Sequence, residues 1–198
     1  MQERSRNTGR AAAGNDRSLN EPAAASGCIS LIGMPGSGKT TLGRALAAAL
    51  SWAFVDTDHL LESWYGLPLE ALRNRLGKEG FLKAEEDALV SLDVARCIVA
   101  TGGSVIYSPA AMKRLKNIGE IVYLQADLET ITARVAQNPE RGLVMAPGQT
   151  IEGLYRERIP IYERYADMTL RTDECSLESC LTRLKDWMHA KQTALCRD

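Results

Sequence analysis

The stretch LIGMPGSGKTTLGRAL, residues 31–46, sets a glycine-rich loop between a short apolar run and an Ala/Leu-rich helical pattern. Gly33-Met34-Pro35-Gly36-Ser37-Gly38-Lys39-Thr40 fits G-x-x-x-x-G-K-[ST] in the strand-to-helix context that this motif requires. Its glycines let backbone N–H groups converge on phosphate oxygens, and a helix N-terminus adds a favourable dipole. The expected ATP site comprises Gly33, Gly36, Ser37, Gly38, Lys39, Thr40 and Thr41. Lys39 should reach the β- and γ-phosphates, and the Thr40 hydroxyl should ligate Mg²⁺.

Outward from this loop the chain alternates short apolar runs with helical patterns. Strands are predicted at residues 28–32, 53–55, 97–100, 121–124 and 168–171. The intervening helices span 38–50, a long region from about 59 to 94 broken at 66–68 and 77–80, 109–116, about 128–136 and 151–165. Ser108 before Pro109 reads as an N-cap, Asp127 caps the next helix, and an amphipathic helix closes the chain. Such alternation predicts an α/β fold of three layers, a parallel sheet with helices on both faces. Residues 1–26 lack periodicity and read as a disordered tail, leaving 27–198 as a single domain. Gln137 to Gln149 carries three breakers and reads as a lid, about 137–150.

The chain has 198 residues and a formal net charge of −1, which gives no electrostatic case for nucleic-acid or membrane partners. No window approaches the roughly 18 apolar residues of a spanning helix. The polar start has no apolar core segment, so no secretory signal is expected; AAASGC, residues 23–28, faintly echoes a lipoprotein cleavage site, but nothing apolar precedes it. Five cysteines without C-x-x-C spacing read as thiols in a reducing cytoplasm rather than disulfides or a metal site. A cytoplasmic monomer is the expectation.

A phosphate-binding loop serves switches, motors and metabolite kinases alike. The chain carries no NKxD-type guanine reader, no paired acids after a later strand and no LSGGQ-like segment. It does carry Asp56 and Asp58 at the C-terminal end of the second strand, the edge where open α/β sheets bind ligands. Residues two apart on an extended segment share a side, so both carboxylates can face the cleft. One can orient Mg²⁺ while the other takes a proton from an acceptor hydroxyl; a helix cap at Asp58 is the plainer alternative.

Taken together, GMPGSGKTTLGRALA, FVDTD, EGF-x-x-x-EE, ATGG, IVYL, RGL and RIPIYERYAD resemble the shikimate kinase family in order and spacing, over about residues 28–173. The resemblance implies a five-stranded parallel sheet of the nucleoside-monophosphate-kinase type, with a mobile lid that closes on ATP. It implies MgATP as donor and a small carboxylate-bearing hydroxy metabolite of amino-acid biosynthesis as acceptor. Carried over by position, Asp56 is the Mg²⁺-associated acid and Asp58 holds the acceptor hydroxyl and serves as base. Gly102 and Gly103 offer backbone donors to the acceptor, Arg141 in the lid stabilises the transferring group on the ATP side, and Arg158 binds the acceptor carboxylate.

Three departures fall near the acceptor. The family's arginine after the phenylalanine is Leu82 here, its triple glycine is Gly102-Gly103-Ser104, and its RPL is Arg141-Gly142-Leu143. Loss of one charge-assisted hydrogen bond of ~1.5–3 kcal/mol weakens a carboxylate ligand by roughly 10- to 150-fold. Lys83 lies about 100° around the helix and is a poor direct replacement. Leu82 can be plain core or an apolar wall for a smaller substrate. With Glu85 one turn on, the pocket becomes more tolerant of an ammonium group, which points to a hydroxy amino acid such as homoserine. Shikimate itself is the alternative acceptor, and a non-catalytic nucleotide-binding regulator is the alternative of another class.

Overall fold

The computed structural model describes residues 27–137, 144–145 and 148–195. Five parallel strands, β1 (Cys28–Ile32), β2 (Ala53–Asp56), β3 (Cys97–Ala100), β4 (Gly119–Gln125) and β5 (Met168–Arg171), form one sheet in the order β2-β3-β1-β4-β5. The helices are α1 (Lys39–Leu50), α2 (Thr57–Tyr65), α3 (Leu69–Val90), α4 (Pro109–Ile118), α5 (Leu128–Ala136), α6 (Ile151–Tyr165) and α7 (Leu177–Leu195).

Period-2 alternation along β1 sends Ile29 and Leu31 to one face and Cys28 and Ile32 to the other. The first pair packs with Leu42 and Leu46 of α1 and Leu184 of α7. The second packs with Leu89 of α3, Met112 and Leu115 of α4, and Leu154 and Tyr162 of α6. Helices therefore cover both faces, as the alternation predicts, and β1 lies at the centre with the phosphate loop at its C-terminal end. A third cluster, with Leu61 of α2 and Leu72, Phe81 and Ala88 of α3, builds a satellite core beside β2.

Both expected caps are present. Ser108 Oγ accepts from Ala111 N–H at 3.0 Å and Asp127 Oδ1 from Thr130 N–H at 2.7 Å. The long helical region starts at Thr57 rather than near 59 and α3 stops at Val90 rather than near 94, while Gly77 (φ 67°, ψ −179°) kinks α3 within the predicted break. A short 3₁₀ turn at Val105–Tyr107 went unpredicted. No described helix is long and apolar enough to cross a membrane. The predicted tail and residues 138–143 and 146–147 of the predicted lid lie outside the described residues.

Candidate active site

The phosphate loop follows β1 through Gly33, Gly36 and Gly38, all at positive φ, which L side chains adopt only with strain. Lys39 Nζ lies over the loop, donating to the carbonyls of Gly33 and Met34 at 2.8 and 2.9 Å. Helix α1 starts after Gly38 with no side chain capping it, and the positive end of its dipole faces the loop, which favours an anion. Ser37 Oγ is buried without a hydrogen-bond partner among the described residues. An orphaned buried hydroxyl costs about 1–3 kcal/mol, and a phosphate oxygen is a partner of the right chemistry. The residues present thus fit a nucleotide's phosphates.

Thr40 Oγ1 donates to Asp56 Oδ2 at 2.7 Å, which couples the loop to the end of β2 and sets two hard oxygen ligands side by side, as Mg²⁺ prefers. Asp56, not Asp58, caps α2, its Oδ1 accepting from Asp58 N–H at 3.1 Å. The Asp56-Thr57-Asp58 segment is therefore not one extended run. The strand ends at Asp56 and Asp58 sits in the first helical turn, yet both carboxylates line the same cleft.

That cleft, about 700 Å³, runs from the phosphate loop to the turn after β3. Gly102 N–H, expected to face the acceptor, is committed to Thr57 Oγ1 at 3.1 Å. This bond ties the β3 turn to α2 and leaves the donor role to Gly103, whose N–H has no partner among the described residues. A Cβ on Gly102 would stand 2.1 Å from Glu85 Oε1 and 3.1 Å from Asp58 Oδ1; one on Gly103 would stand 3.0 Å from Arg158 Nη1. The two glycines therefore let an acid and a guanidinium close on the same turn.

Arg158 is buried with Tyr107, whose ring lies 5.3 Å from its guanidinium and whose hydroxyl accepts from Nε at 3.2 Å, while Nη2 donates to Val144 O at 3.0 Å. Glu85 is buried too, and its Oε2 accepts from Ser104 Oγ at 2.5 Å. Burial pushes its carboxyl up to about 7; the Ser104 bond opposes this, the Asp58 charge adds to it, and Arg158 and Arg73 oppose it. Ser104, a departure in the sequence, is thus the donor that keeps Glu85 satisfied.

Leu82, expected as a wall of the acceptor site, does not line the cleft. It is half-buried against the satellite core and borders a small neighbouring pocket with Lys83, Glu86 and Ser108. Arg141 lies outside the described residues. Four cleft contributors were missed: Arg73, Tyr162, Arg134 and Thr172. Tyr162 donates to Gly103 O at 2.6 Å, Arg134 Nη1 to Gly36 O at 3.1 Å, and Thr172 Oγ1 to Ser37 O at 3.0 Å. Arg73, Arg134 and Thr172 themselves line the cleft.

A phosphate loop at the centre of a parallel sheet, facing an acid, a glycine turn and a buried guanidinium, defines a P-loop kinase acting on a small molecule. A family model described as shikimate kinase matches residues 35–189. The chain is 40% identical over 151 residues to a shikimate kinase of Vibrio parahaemolyticus, covering 75% of this chain and 88% of that one. It is 36% identical over 166 residues to that of Moorella thermoacetica, covering 83% and 95%. Its fold superposes on a shikimate kinase from Acinetobacter baumannii solved with shikimate, with a TM-score of 0.77, 28% identity, and 85% and 96% of the two chains covered. The chain belongs to the shikimate kinase family. It is a phosphotransferase that uses MgATP and acts on an alcohol group.

Proposed function

We propose that this enzyme transfers the γ-phosphoryl group of MgATP to a hydroxyl of shikimate. The observation that carries this is the pairing of Asp58 and buried Arg158 on consecutive glycines of one turn, an acceptor for a hydroxyl beside a cation for a carboxylate. The Acinetobacter relative solved with shikimate supports it. The expected shift to homoserine rested on Leu82 and Glu85. Leu82 stands off the cleft, Glu85 is bound to Ser104 and held towards its neutral form, and the named relatives lend that shift no support.

Asp58 accepts a hydrogen bond from the acceptor hydroxyl and takes its proton as the oxygen bonds to the γ-phosphorus. The bond from that phosphorus to the bridging oxygen breaks, and ADP leaves with the electron pair. Lys39 balances charge on the phosphoryl oxygens. Thr40 and Asp56 would hold Mg²⁺, which would supply charge neutralisation for the phosphates. Arg158 and Gly103 N–H orient the acceptor.

The test is ADP release from MgATP with shikimate, with homoserine and with no acceptor. Turnover of shikimate alone is expected, and Asp58→Asn should lower it by roughly 10²–10⁴-fold. Turnover of homoserine alone would reassign the acceptor. Release no faster than the water background with either would leave a nucleotide-binding protein.

A further inference from the structure

Buried Arg158 supplies one cation at the acceptor end of the cleft, and a second guanidinium lines the same cleft. Arg73 lines it from the first half of α3. In a straight helix, Arg73 and Phe81 would stand about 12 Å apart along the axis. The Gly77 kink breaks that geometry, and the Arg73 guanidinium lies over the Phe81 ring, 6.0 Å from its centre.

A guanidinium resting on a ring face keeps its in-plane N–H donors available. Among the described residues those donors make no hydrogen bond and no ion pair, although the side chain is half-buried. Arg73 acts electrostatically on Glu85, as Arg158 does, so both cations bear on one buried carboxylate at the acceptor end. A merely solvated surface arginine would not line the cleft. A planar, always-charged fork with free donors matches a carboxylate.

We propose that Arg73 supplies, beside Arg158, the second cation for the acceptor's carboxylate and thereby sets the preference for acid acceptors. This rests on the shikimate reading above. It makes Arg73 a binding residue, not a group that handles the transferred phosphoryl.

The experiment compares the wild type with Arg73→Met, Arg73→Lys and, as a control on the exposed side of the same helix, Arg75→Met. ADP release is followed with shikimate and with its methyl ester. Arg73→Met should raise KM for shikimate by roughly 10- to 150-fold, the worth of a charge-assisted hydrogen bond. It should leave kcat and KM for MgATP unchanged and erase most of the preference for acid over ester. Arg73→Lys should recover part of that preference, and Arg75→Met should keep all of it.

An unchanged KM for shikimate in Arg73→Met, an equal rise for acid and ester, or the same loss in Arg75→Met overturns the proposal while the shikimate reading stands. Should Arg73→Met fail to fold by circular dichroism, the acid-to-ester ratio of Arg73→Lys decides. A lowered ratio supports the assignment and a wild-type ratio overturns it. A wild-type enzyme that does not turn over shikimate overturns both.

Discussion

Glu85 is a carboxyl whose surroundings disagree about its charge. Burial and the nearby Asp58 favour the neutral form, while Ser104 Oγ and the two arginines favour the ionised one, and burial is the largest influence. With the carboxyl at about 7, the folded protein holds a proton that the unfolded chain, titrating near 4.5, releases. The associated stability is full below pH 4.5 and is lost as pH rises through 7. Between pH 5.5 and 8 the loss is on the order of 2 kcal/mol. Glu85→Gln cannot titrate, so urea unfolding of this variant should fall less over that range than the wild type. Parallel decline of the two curves would mean that Glu85 is ionised throughout. Ser104→Ala removes the hydroxyl donor and should move the wild-type decline to higher pH.

At the scale of elements, Asp56 has two tasks, because β2 passes into α2 without a connecting loop. One carboxylate oxygen caps α2 and the other receives Thr40 Oγ1 from the phosphate loop. The tasks separate by substitution. Asn caps helices as well as Asp but carries no charge, whereas Ala does neither. Asp56→Asn should keep stability and lose activity and Mg²⁺ dependence. Asp56→Ala should lose activity and a further ~0.5–2 kcal/mol of stability by thermal unfolding. Equal stability of the two variants would show the cap to be idle.

The two tasks also mark what could be read in the sequence. The phosphate loop, the caps at Ser108 and Asp127, and the Gly77 break are decided within a few residues, and the strand and helix pattern follows from local periodicity. The start of α2 was misjudged because Asp56 and Asp58 are equally good caps by type. The contacts of Arg134 with Gly36 and Tyr162 with Gly103 span 98 and 59 residues, and no local pattern encodes them. Leu82 and Arg73 share one helix, but only the angle of the Gly77 kink decides which reaches the cleft. A kink angle is a tertiary outcome, legible as a break but not as a direction.

Across the whole molecule, the order β2-β3-β1-β4-β5 divides the cleft between separate supports. The nucleotide end rests on α1, α5 and the segment after β5, through Lys39, Arg134 and Thr172. The acceptor end rests on α2, α3, α6 and the turn after β3, through Asp58, Glu85, Arg158 and Gly103. Tyr162 belongs to the second group without touching the cleft. Fully buried and stacked on Tyr123 of the central sheet at 5.1 Å between ring centres, it donates to the carbonyl of Gly103 and so fixes that turn against α6. Tyr162→Phe keeps the ring and its stacking and orphans the Gly103 carbonyl, at a cost of about 1–3 kcal/mol of stability. The turn also packs against Pro35 of the phosphate loop, but it carries Gly103 N–H on the acceptor side, so KM for the acceptor should rise more than KM for MgATP. A parallel rise in both constants would mean that the two ends share one support and that the division read from the sheet order is wrong.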